Sequence, residues 1–314
     1  MLLRVLHETF YEYSPGVETA QHQLHLRPLA ETPCQTLLSH RLTVSPQPDQ
    51  LRQGEDVYGN ARDFFALHQA HESLRVQADS VVCTRPAATE AAALEQSWEA
   101  VRDRYRYKSM SAVDEAAEFT FPSPYVPRLD ALTAYARPSF AAGARLVDAV
   151  DDLMARIHDD FTYESHSTDV NTPLSQALTQ RKGVCQDFAH IMIGGLRSMG
   201  LPARYASGYL LTAPPPGQPR LIGCDASHAW VQVFVPHTAQ AQTGGIWLDF
   251  DPTNNRRAGE DYVWLAVGRD FADVSPMRGV LHGGASHHLE VKVTVAPPDD
   301  PLWARLPAGP VPPA

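Results

Sequence analysis

The chain has 314 residues with a hydrophobic fraction of 44% and a charged fraction of 20%, values typical of a soluble globular protein with more than one domain. Its 26 Lys and Arg residues face 36 Asp and Glu residues, and the net charge of −10 argues against binding to nucleic acid or to an anionic membrane. Four cysteines are too few for a disulfide framework, and none forms the Cys-x-x-Cys pair of zinc ribbons and redox motifs: Cys34, Cys83, Cys185 and Cys224.

The N-terminal segment does not have the pattern of a signal peptide. Residues 1–8 carry charged and imidazole groups, and no apolar segment follows them. No run of about 18 apolar residues occurs anywhere, so the sequence predicts no segment that spans a bilayer. We therefore expect a cytoplasmic location, in which the thiols stay reduced and each cysteine is either a buried apolar residue or a reactive one.

Residues 1–85 have the pattern of short β-strands. Alternating or β-branched segments occur at residues 4–13, 23–27, 39–44 and 73–82. The turn signal Ser14-Pro15-Gly16 is expected to end the first of these strands. Short strands at this spacing predict a small antiparallel β-sandwich.

The composition changes after Pro86. Residues 87–107 are rich in Ala, Glu and Arg, and residues 143–157 place apolar side chains at helical spacing, so both segments are predicted to be helices. Strand patterns return in the C-terminal third, and a Pro-rich tail, predicted to be poorly ordered, ends the chain: strands at 229–235, 245–250 and 289–295, tail at 297–314. Blocks of strands, helices and strands in this order predict an α+β protein.

Cys185 is the cysteine whose surroundings point to chemistry. The segment after it places apolar side chains on one helical face before Gly200 and Pro202 end the helix: Phe188, Ile191, Met192, Leu196 and Met199. Cys185 is thus predicted in the first turn of a buried helix, two residues after the flexible Gly183. Unpaired backbone N–H groups and the positive end of the helix dipole favour a thiolate there, and the same N–H groups can stabilise an oxyanion.

A nucleophilic thiolate needs a base and an acceptor that orients the base, and two later segments can supply them. His228 lies where one predicted strand begins, and Asp251 lies where the next one ends. Adjacent antiparallel strands could place the two side by side. Asp249 and Asp251 flank Phe250 and share one face of a strand, so the spacing does not decide between them. Cys, His and Asp in this order have the logic of a papain-like triad.

Four blocks of the sequence together resemble the bacterial transglutaminase-like superfamily, whose members are often described as cysteine proteases. They occur in the family's order at residues 183–190, 200–209, 226–230 and 250–254, and read GVCQDFAH, GLPARYASGY, ASHAW and FDPTN. The strands of residues 1–85, with Asp56-Val57-Tyr58-Gly59-Asn60, are similar to the β domain that commonly precedes the core. The segment Asp273–Val280 is similar to the one that follows it.

The resemblance implies a papain-like core in which the cysteine helix packs on an antiparallel sheet. It implies an N-terminal β domain over residues 1–85, a transglutaminase-like catalytic core over 86–280, and a C-terminal strand and Pro-rich tail over 281–314. By position, Cys185 is the nucleophile, His228 the base and Asp251 the orienting acid. The family also uses an oxyanion donor upstream of the cysteine, and Tyr163 is the candidate here.

The reaction that the resemblance implies is acyl transfer from a peptide, isopeptide or glutamine-type amide through a thioester. Hydrolysis is expected over transamidation, by analogy with intracellular bacterial members. The expected partners are a peptide or protein substrate and, for transamidation, an amine acceptor. No cofactor and no metal are expected.

The remaining reactive side chains have ordinary interpretations in the sequence. Cys34, Cys83 and Cys224 are predicted to be unremarkable thiols. Cys224 is close to His228, but no two further ligands stand at a spacing useful for a metal site. The histidines near the C-terminus are expected in loops or at the surface: His282, His287 and His288.

Three residues near the blocks have mostly structural interpretations. His190 lies about 140° around the helix from Cys185 and is predicted to be a packed or hydrogen-bonded histidine. Asp187 in the first turn is predicted to favour the helix dipole. Arg204 has two open interpretations, a salt bridge or substrate binding.

Two other classes of function compete with a cysteine enzyme. One is a catalytically inactive binding or scaffold module that keeps the fold, although such modules usually lose the cysteine or the histidine. The other is a metallohydrolase that uses some of the 14 histidines.

Overall fold

The computed structural model describes residues 1–86, 94–106, 114–165, 172–213, 223, 227–237, 244–284 and 286–305. The strands are β1 Leu2–Leu24, β2 Glu31–Thr32, β3 Gln35–Ser45, β4 Gln50–Glu55, β5 Ala61–Leu67, β6 His71–Thr84, β7 Thr162–Tyr163, β8 Lys182–Gly183, β9 Ala203–Leu210, β10 Ser227–Pro236, β11 Gly245–Phe250, β12 Tyr262–Gly268, β13 Met277–Gly283 and β14 Ser286–Ala296. The α-helices are α1 Trp98–Tyr105, α2 Asp130–Ala136, α3 Leu146–Asp160, α4 Leu174–Gln180, α5 Cys185–Ser198, α6 Phe271–Val274 and α7 Pro301–Arg305, and two 3-10 helices span Glu115–Thr120 and Arg137–Ser139.

The long strand β1 organises the N-terminal β domain. Its first half, residues 4–14, pairs with β14 on one side and with β6 on the other. Its second half pairs with β13 and β5. The turn signal Ser14-Pro15-Gly16 predicts that the strand ends there, and this prediction is wrong, because β1 continues to Leu24. The pairing with β6 shifts register between Glu12 and Val17, and β1 then continues with other neighbours.

The two halves of this sheet enclose a core of their own. Buried apolar side chains come from both halves of β1 and from the strands beside it: Tyr13, Val17, Leu24, Phe65, Leu67, Leu74 and Val76. Because β13 and β14 follow the core in sequence and pair with β1, the chain returns to its starting domain. The predicted α+β class with an antiparallel N-terminal β region is confirmed.

The second sheet carries the candidate site and has the antiparallel order β11-β10-β9-β12. Helix α5 packs on one face of it and is buried from Asp187 to Arg197. Alternate residues of β10 supply the apolar surface under the helix: Ala229, Val231, Val233 and Val235. Helix α2 packs on the far side of α5 at Gly194, where an added Cβ would lie 2.6 Å from Leu132 Cδ1. The helix with Cys185 is therefore held on both sides.

The structure confirms one predicted helix and shortens another. The predicted helix at 143–157 is α3, Leu146–Asp160. Of the predicted helix at 87–107, α1 begins only at Trp98, because residues 95–97 are not helical and Ser97 caps α1 and bridges to Arg145; residues 87–93 and 107 lie outside the described residues. In the predicted tail, α7 buries Leu302, and residues 306–314 lie outside the described part. No helix in the described ranges is long and apolar enough to cross a membrane.

The edge strand β12 is closed by amide side chains of the N-terminal domain. Gln35 Nε2 donates to Trp264 O at 2.9 Å, and Trp264 N donates to Gln35 Oε1 at 2.9 Å. Asn60 forms the same pair of hydrogen bonds with Val267. Asn60 Nδ2 donates to Val267 O at 2.7 Å, and Val267 N donates to Asn60 Oδ1 at 2.8 Å. Each side chain pairs with the strand as a neighbouring backbone would, so the sheet edge has partners and the two domains are fixed together.

We expect Asn60→Ala to destabilise the protein by about 3 kcal/mol, because it leaves a buried N–H and a buried carbonyl of Val267 without partners. Urea unfolding followed by circular dichroism measures this change. The control is Gln69→Ala at an exposed position, for which a change within about 0.5 kcal/mol is expected. Equal effects of the two substitutions would contradict the role of Asn60 at the edge.

Candidate active site

Cys185 is the first residue of α5, as the sequence predicts. The start of the helix is fixed by Asp187, whose Oδ2 accepts a hydrogen bond from the Val184 backbone N–H at 2.8 Å. This carboxylate lies so close to Gly183 that an added Cβ would be 2.6 Å from Asp187 Oδ2. A side chain at position 183 would therefore collide with Asp187, which explains the glycine there. Asp187 itself has a structural role at the start of the helix, as predicted. The thiol of Cys185 is partly exposed.

His228 lies at the beginning of β10 and faces both Cys185 and Asp251. Its Nε2 is 2.7 Å from Asp251 Oδ2, and the thiol of Cys185 forms a further hydrogen bond with the ring. The ring stacks on Trp230 with centroids 6.2 Å apart and an angle of 26° between the planes. Since Nε2 faces Asp251, Nδ1 is the ring nitrogen left for the thiol. The structure thus brings together the three residues that the sequence predicts.

Asp251 has no exposed surface, and its carboxylate accepts five hydrogen bonds. Oδ2 accepts from His228 Nε2, from Tyr262 Oη at 2.6 Å and from Asn254 Nδ2 at 2.7 Å. Oδ1 accepts from the backbone N–H groups of Thr253 at 2.9 Å and Asn254 at 3.2 Å. Burial alone would raise the pKa of Asp251, but these donors, and His228 first among them, hold the pKa below its ordinary value.

The pKa of His228 is shifted in the opposite direction. Burial alone would lower it, but the hydrogen bonds with Asp251 and Cys185 and the negative charges of both groups raise the pKa from 6.5 to about 10. An imidazolium is therefore stable at neutral pH in this position. A carboxylate on one side and a thiol on the other give the ring the surroundings that favour a thiolate–imidazolium pair.

Asp249 occupies a different network on the same face of β11. Its Oδ1 accepts hydrogen bonds from Trp230 Nε1 at 2.6 Å, Gln232 Nε2 at 2.8 Å and Trp264 Nε1 at 3.1 Å. It fixes the indole on which the His228 ring stacks. The structure thus separates two aspartates that the alternation of the strand leaves equivalent, and it places Asp251 against His228.

Tyr163 lies close to Cys185 but has an open environment. It ends β7, which pairs in parallel with β8 so that Tyr163 lies opposite Gly183. Its ring meets Phe188 edge-on at 6.3 Å, and 52% of the residue is exposed. Partial burial and the negative charge of Cys185 raise the pKa of the phenol, so the hydroxyl remains a donor at neutral pH.

His190, Cys34 and Cys83 have surroundings apart from this cluster. His190 is buried in α5, stacks on Tyr125, and accepts a hydrogen bond from Phe271 N at 3.2 Å. Burial lowers its pKa to about 3, so it is neutral and packed, in agreement with its structural interpretation. Cys34 is buried beside Trp264, and Cys83 lies in β6. Cys224 lies outside the described residues.

Histidines near the C-terminus are exposed on β13 and β14, in strands and not in loops. His282 Nδ1 is 2.9 Å from Glu18 Oε2, and the His287 ring is 5.6 Å from the Tyr11 ring. Within the described ranges, no three His, Cys, Asp or Glu side chains group in a way that could hold a metal ion.

Two known sequence families match the chain. "Bacterial transglutaminase-like N-terminal region" matches residues 3–83, and "Transglutaminase-like superfamily" matches residues 133–252. The uncharacterized protein Rv2569c of Mycobacterium tuberculosis is 40% identical over 300 residues, which cover 94% of this chain and 92% of that protein. The chain belongs to the transglutaminase-like superfamily.

Two further similar proteins match this chain over nearly its whole length. The uncharacterized protein ML0607 of Mycobacterium leprae is 32% identical over 296 residues, which cover 93% of this chain and 98% of that protein. A crystal structure from Cytophaga hutchinsonii, named provisionally as a cysteine protease, superposes with a TM-score of 0.70 at 22% identity. The superposition covers 95% of this chain and 92% of the Cytophaga hutchinsonii chain. This likeness shows a shared fold.

Sequence reasoning missed two side chains that support Asp251. Asn254 belongs to the block Phe250–Asn254, so its position was visible, but no role for it follows from the block alone. Tyr262 comes from β12, which two strands separate from β11 in the sheet, and no spacing in the sequence connects it with Asp251. Its burial and its hydrogen bond depend on the tertiary structure.

We expect His228 to remain protonated through neutral pH and to titrate near pH 10, while His190 stays neutral above about pH 3. Because the folded pKa of His228 lies above the ordinary 6.5, the stability from its protonation is complete below pH 6.5 and is lost as the pH rises through 10. Nitrogen NMR of the imidazole rings measures both values, with His228→Gln identifying the signal. A His228 midpoint at or below 6.5 would contradict the proposed ion pair.

Proposed function

We propose that the chain is a cysteine enzyme of the transglutaminase-like superfamily that cleaves or transfers peptide, isopeptide or glutamine-type amides. The observation that carries the proposal is the contiguous contact of Cys185, His228 and Asp251, with 2.7 Å between His228 Nε2 and Asp251 Oδ2. In this proposal Cys185 is the nucleophile, His228 the acid and base, and Asp251 the group that orients His228.

The thiol is activated before the substrate arrives. His228 takes the proton of the Cys185 thiol, and the resulting imidazolium is stabilised by the buried charge of Asp251. The thiolate lies at the N-terminal end of α5, where unpaired backbone N–H groups favour negative charge. Tyr262 and Asn254 hold the Asp251 carboxylate in place, so the ring keeps the orientation that directs Nδ1 toward sulfur.

The first half of the reaction forms a thioester. The Cys185 sulfur attacks the carbonyl carbon of the amide, and a tetrahedral oxyanion forms. His228 then donates its proton to the leaving nitrogen, and the C–N bond breaks. Ammonia leaves from a glutamine carboxamide, and an amine leaves from a peptide or isopeptide bond. The acyl group remains on Cys185.

The second half of the reaction transfers the acyl group. A water molecule or a primary amine attacks the thioester, His228 accepts its proton, and the thiolate leaves. Water gives hydrolysis, and an amine gives transamidation. We propose hydrolysis as the main reaction. Its support is the open surroundings of the thiol, since Cys185 is partly exposed and Tyr163 is 52% exposed, and water reaches both.

The oxyanion has two possible sets of donors in this geometry. Backbone N–H groups in the first turn of α5 lie beside the sulfur, and the Tyr163 phenol is close enough to Cys185 for the two to interact electrostatically. Both would act only on the tetrahedral state, in which negative charge develops on oxygen. A peptide or protein substrate suits a surface site of this kind.

An inactive binding module is the second candidate, and the electrostatics of the site disfavour it. Asp251 is completely buried, and five donors stabilise its carboxylate in the ionised form. The negative charge of this carboxylate in turn stabilises the positive charge on the ring of His228. A binding surface has no need of a thiol hydrogen-bonded to such a ring.

We expect iodoacetamide at pH 7 to alkylate Cys185 first, because burial and the charge of Asp249 raise the pKa of the Cys34 thiol to about 11. His228→Ala should slow the alkylation of Cys185 by about tenfold or more, because the thiolate loses its counter-ion. Peptide mapping by mass spectrometry measures the rate at each cysteine. Equal labelling of the exposed thiols would speak against an activated nucleophile.

Asp249 in β11 and Asp251 directly after it provide a matched pair for the same assay. Asp251→Asn keeps the shape but removes the charge beside His228, so alkylation of Cys185 should slow by about tenfold. Asp249→Asn keeps an acceptor for the Trp230 indole and should leave the rate within about twofold. The reverse order of effects would exclude Asp251 as the orienting acid.

A peptide library incubated with and without a primary amine should give products whose masses reveal the reaction. We expect cleaved or deamidated peptides without the amine and a minor amine adduct with it. Cys185→Ala should reduce product formation by at least about 10³-fold, since the acyl intermediate of this proposal forms on the Cys185 sulfur. Products that persist unchanged in this variant would refute the nucleophile.

A further inference from the structure

A second recess lies on the same sheet as the candidate active site, toward the opposite end of its strands. It is a cleft of about 940 Å³ between the core sheet, the 3-10 helix Glu115–Thr120 and the N-terminal domain. Its apolar lining is mainly aromatic: Tyr58, Phe119, Phe121, Phe234 and Trp247. His228 pairs with Gly208 and Gln232 with Arg204, so the cleft begins about four residues, or about 13 Å, along β9 from the site.

Arg204 is the charged group in the wall of this cleft with unused hydrogen-bonding capacity. Its guanidinium lies over the Trp247 ring at 4.0 Å from the centroid, and Phe119 is 5.9 Å away. Its Nε donates to Gln232 Oε1 at 2.8 Å. In the described part of the chain, the two terminal nitrogens have no protein acceptor within hydrogen-bond distance, and the buried charge of Asp249 acts on the guanidinium from behind Gln232. A guanidinium has four N–H groups on those nitrogens, in one plane.

The orientation of Arg204 is fixed from behind. Gln232 Oε1 accepts from Arg204, and Gln232 Nε2 donates to Asp249 at 2.8 Å. Trp247 covers one face of the guanidinium and Gln232 occupies its Nε, so the edge with the terminal nitrogens is left for a ligand. Burial lowers the pKa of Arg204 to about 9, and the group is still charged at neutral pH.

The acidic groups of the cleft already have donors. Glu118 Oε1 accepts from the Tyr58 hydroxyl at 2.8 Å, and Asp114 accepts from Arg104 at 3.0 Å. The third, Glu115, is exposed to solvent. The terminal nitrogens of Arg204 are therefore donors without an acceptor, and the ligand that completes them is an acceptor with negative charge.

We propose that this cleft binds a carboxylate attached to an aromatic body. The carboxylate would accept two parallel hydrogen bonds from the terminal nitrogens of Arg204, a geometry that the planar guanidinium favours. The aromatic body would pack among Trp247, Phe234 and Phe121, of which Phe121 is 56% exposed. A free aromatic acid and the carboxyl end of a peptide chain present the same chemistry. The proposal does not depend on any step of the proposed acyl transfer.

The test uses matched probes on the full chain, with calorimetry as the measurement. The first pair is 3-phenylpropionate and 3-phenylpropanol, which share the aromatic body and differ in charge. Neither probe has an amide that the Cys185 thiol could cut. We expect the acid to bind at least tenfold more tightly than the alcohol. The second pair is a tetrapeptide that ends in phenylalanine and its counterpart that ends in phenylalaninol.

The two pairs also separate the sources of the carboxylate. Preference for the acid in the first pair identifies a small free acid as sufficient, and preference only in the second identifies a peptide terminus. Equal binding within both pairs, or no saturable binding of either acid at millimolar concentration, would overturn the proposal. Such a result would leave the alkylation of Cys185 unaffected, so the two proposals fail separately.

Variants locate the binding. Arg204→Gln should remove the preference for the acid, and Arg52→Gln, at an exposed arginine of β4, should leave it unchanged. Circular dichroism and thermal unfolding check that Arg204→Gln folds. Should it not fold, nitrogen NMR of the native protein replaces it, since the side-chain signals of Arg204 must shift with the acid and not with the alcohol. Shifts confined to other arginines would overturn the assignment.

Discussion

The hydrogen bond between His228 Nε2 and Asp251 Oδ2, at 2.7 Å, is the contact on which the candidate site depends. A fully buried carboxylate is costly unless its oxygens are satisfied, and five donors satisfy those of Asp251. The turn after β11 supplies two backbone N–H groups and the Asn254 amide, and the edge strand β12 supplies Tyr262. The ring of His228 then has one defined orientation, and Cys185 is brought to it by a helix packed on the same sheet.

The N-terminal domain contributes to this arrangement without contributing a reacting group. Gln35 and Asn60 pair with the outer edge of β12, the strand that carries Tyr262. Cys34 and its neighbours cover the Trp230 indole on which His228 stacks. Sequence alternation predicts that residues 1–85 form strands, but it cannot predict these contacts, because an amide that caps a distant strand has no local pattern. For the same reason, the pairing of β13 and β14 with β1 was not predictable from spacing.

Some residues of the site are also predictable from local sequence patterns, and others depend on the tertiary structure. Helical periodicity and the glycine ahead of Cys185 place the thiol at the start of α5, and the strand pattern places His228 at the mouth of β10. Asp249 and Asp251 share one face of a strand, so only the structure distinguishes the partner of His228 from the partner of Trp230. Tyr262 is invisible to sequence reasoning because it reaches Asp251 across the width of the sheet.

Intact-protein mass spectrometry after rapid mixing and acid quench shows whether the Cys185 sulfur carries the acyl group. With a glutamine peptide in a single turnover, we expect a transient mass increase equal to the peptide minus ammonia. The adduct should map to the α5 peptide that contains Cys185 and should be removed by neutral hydroxylamine, as a thioester is. Product formation with no adduct at any time point, or an adduct on another residue, would contradict Cys185 as the acyl carrier.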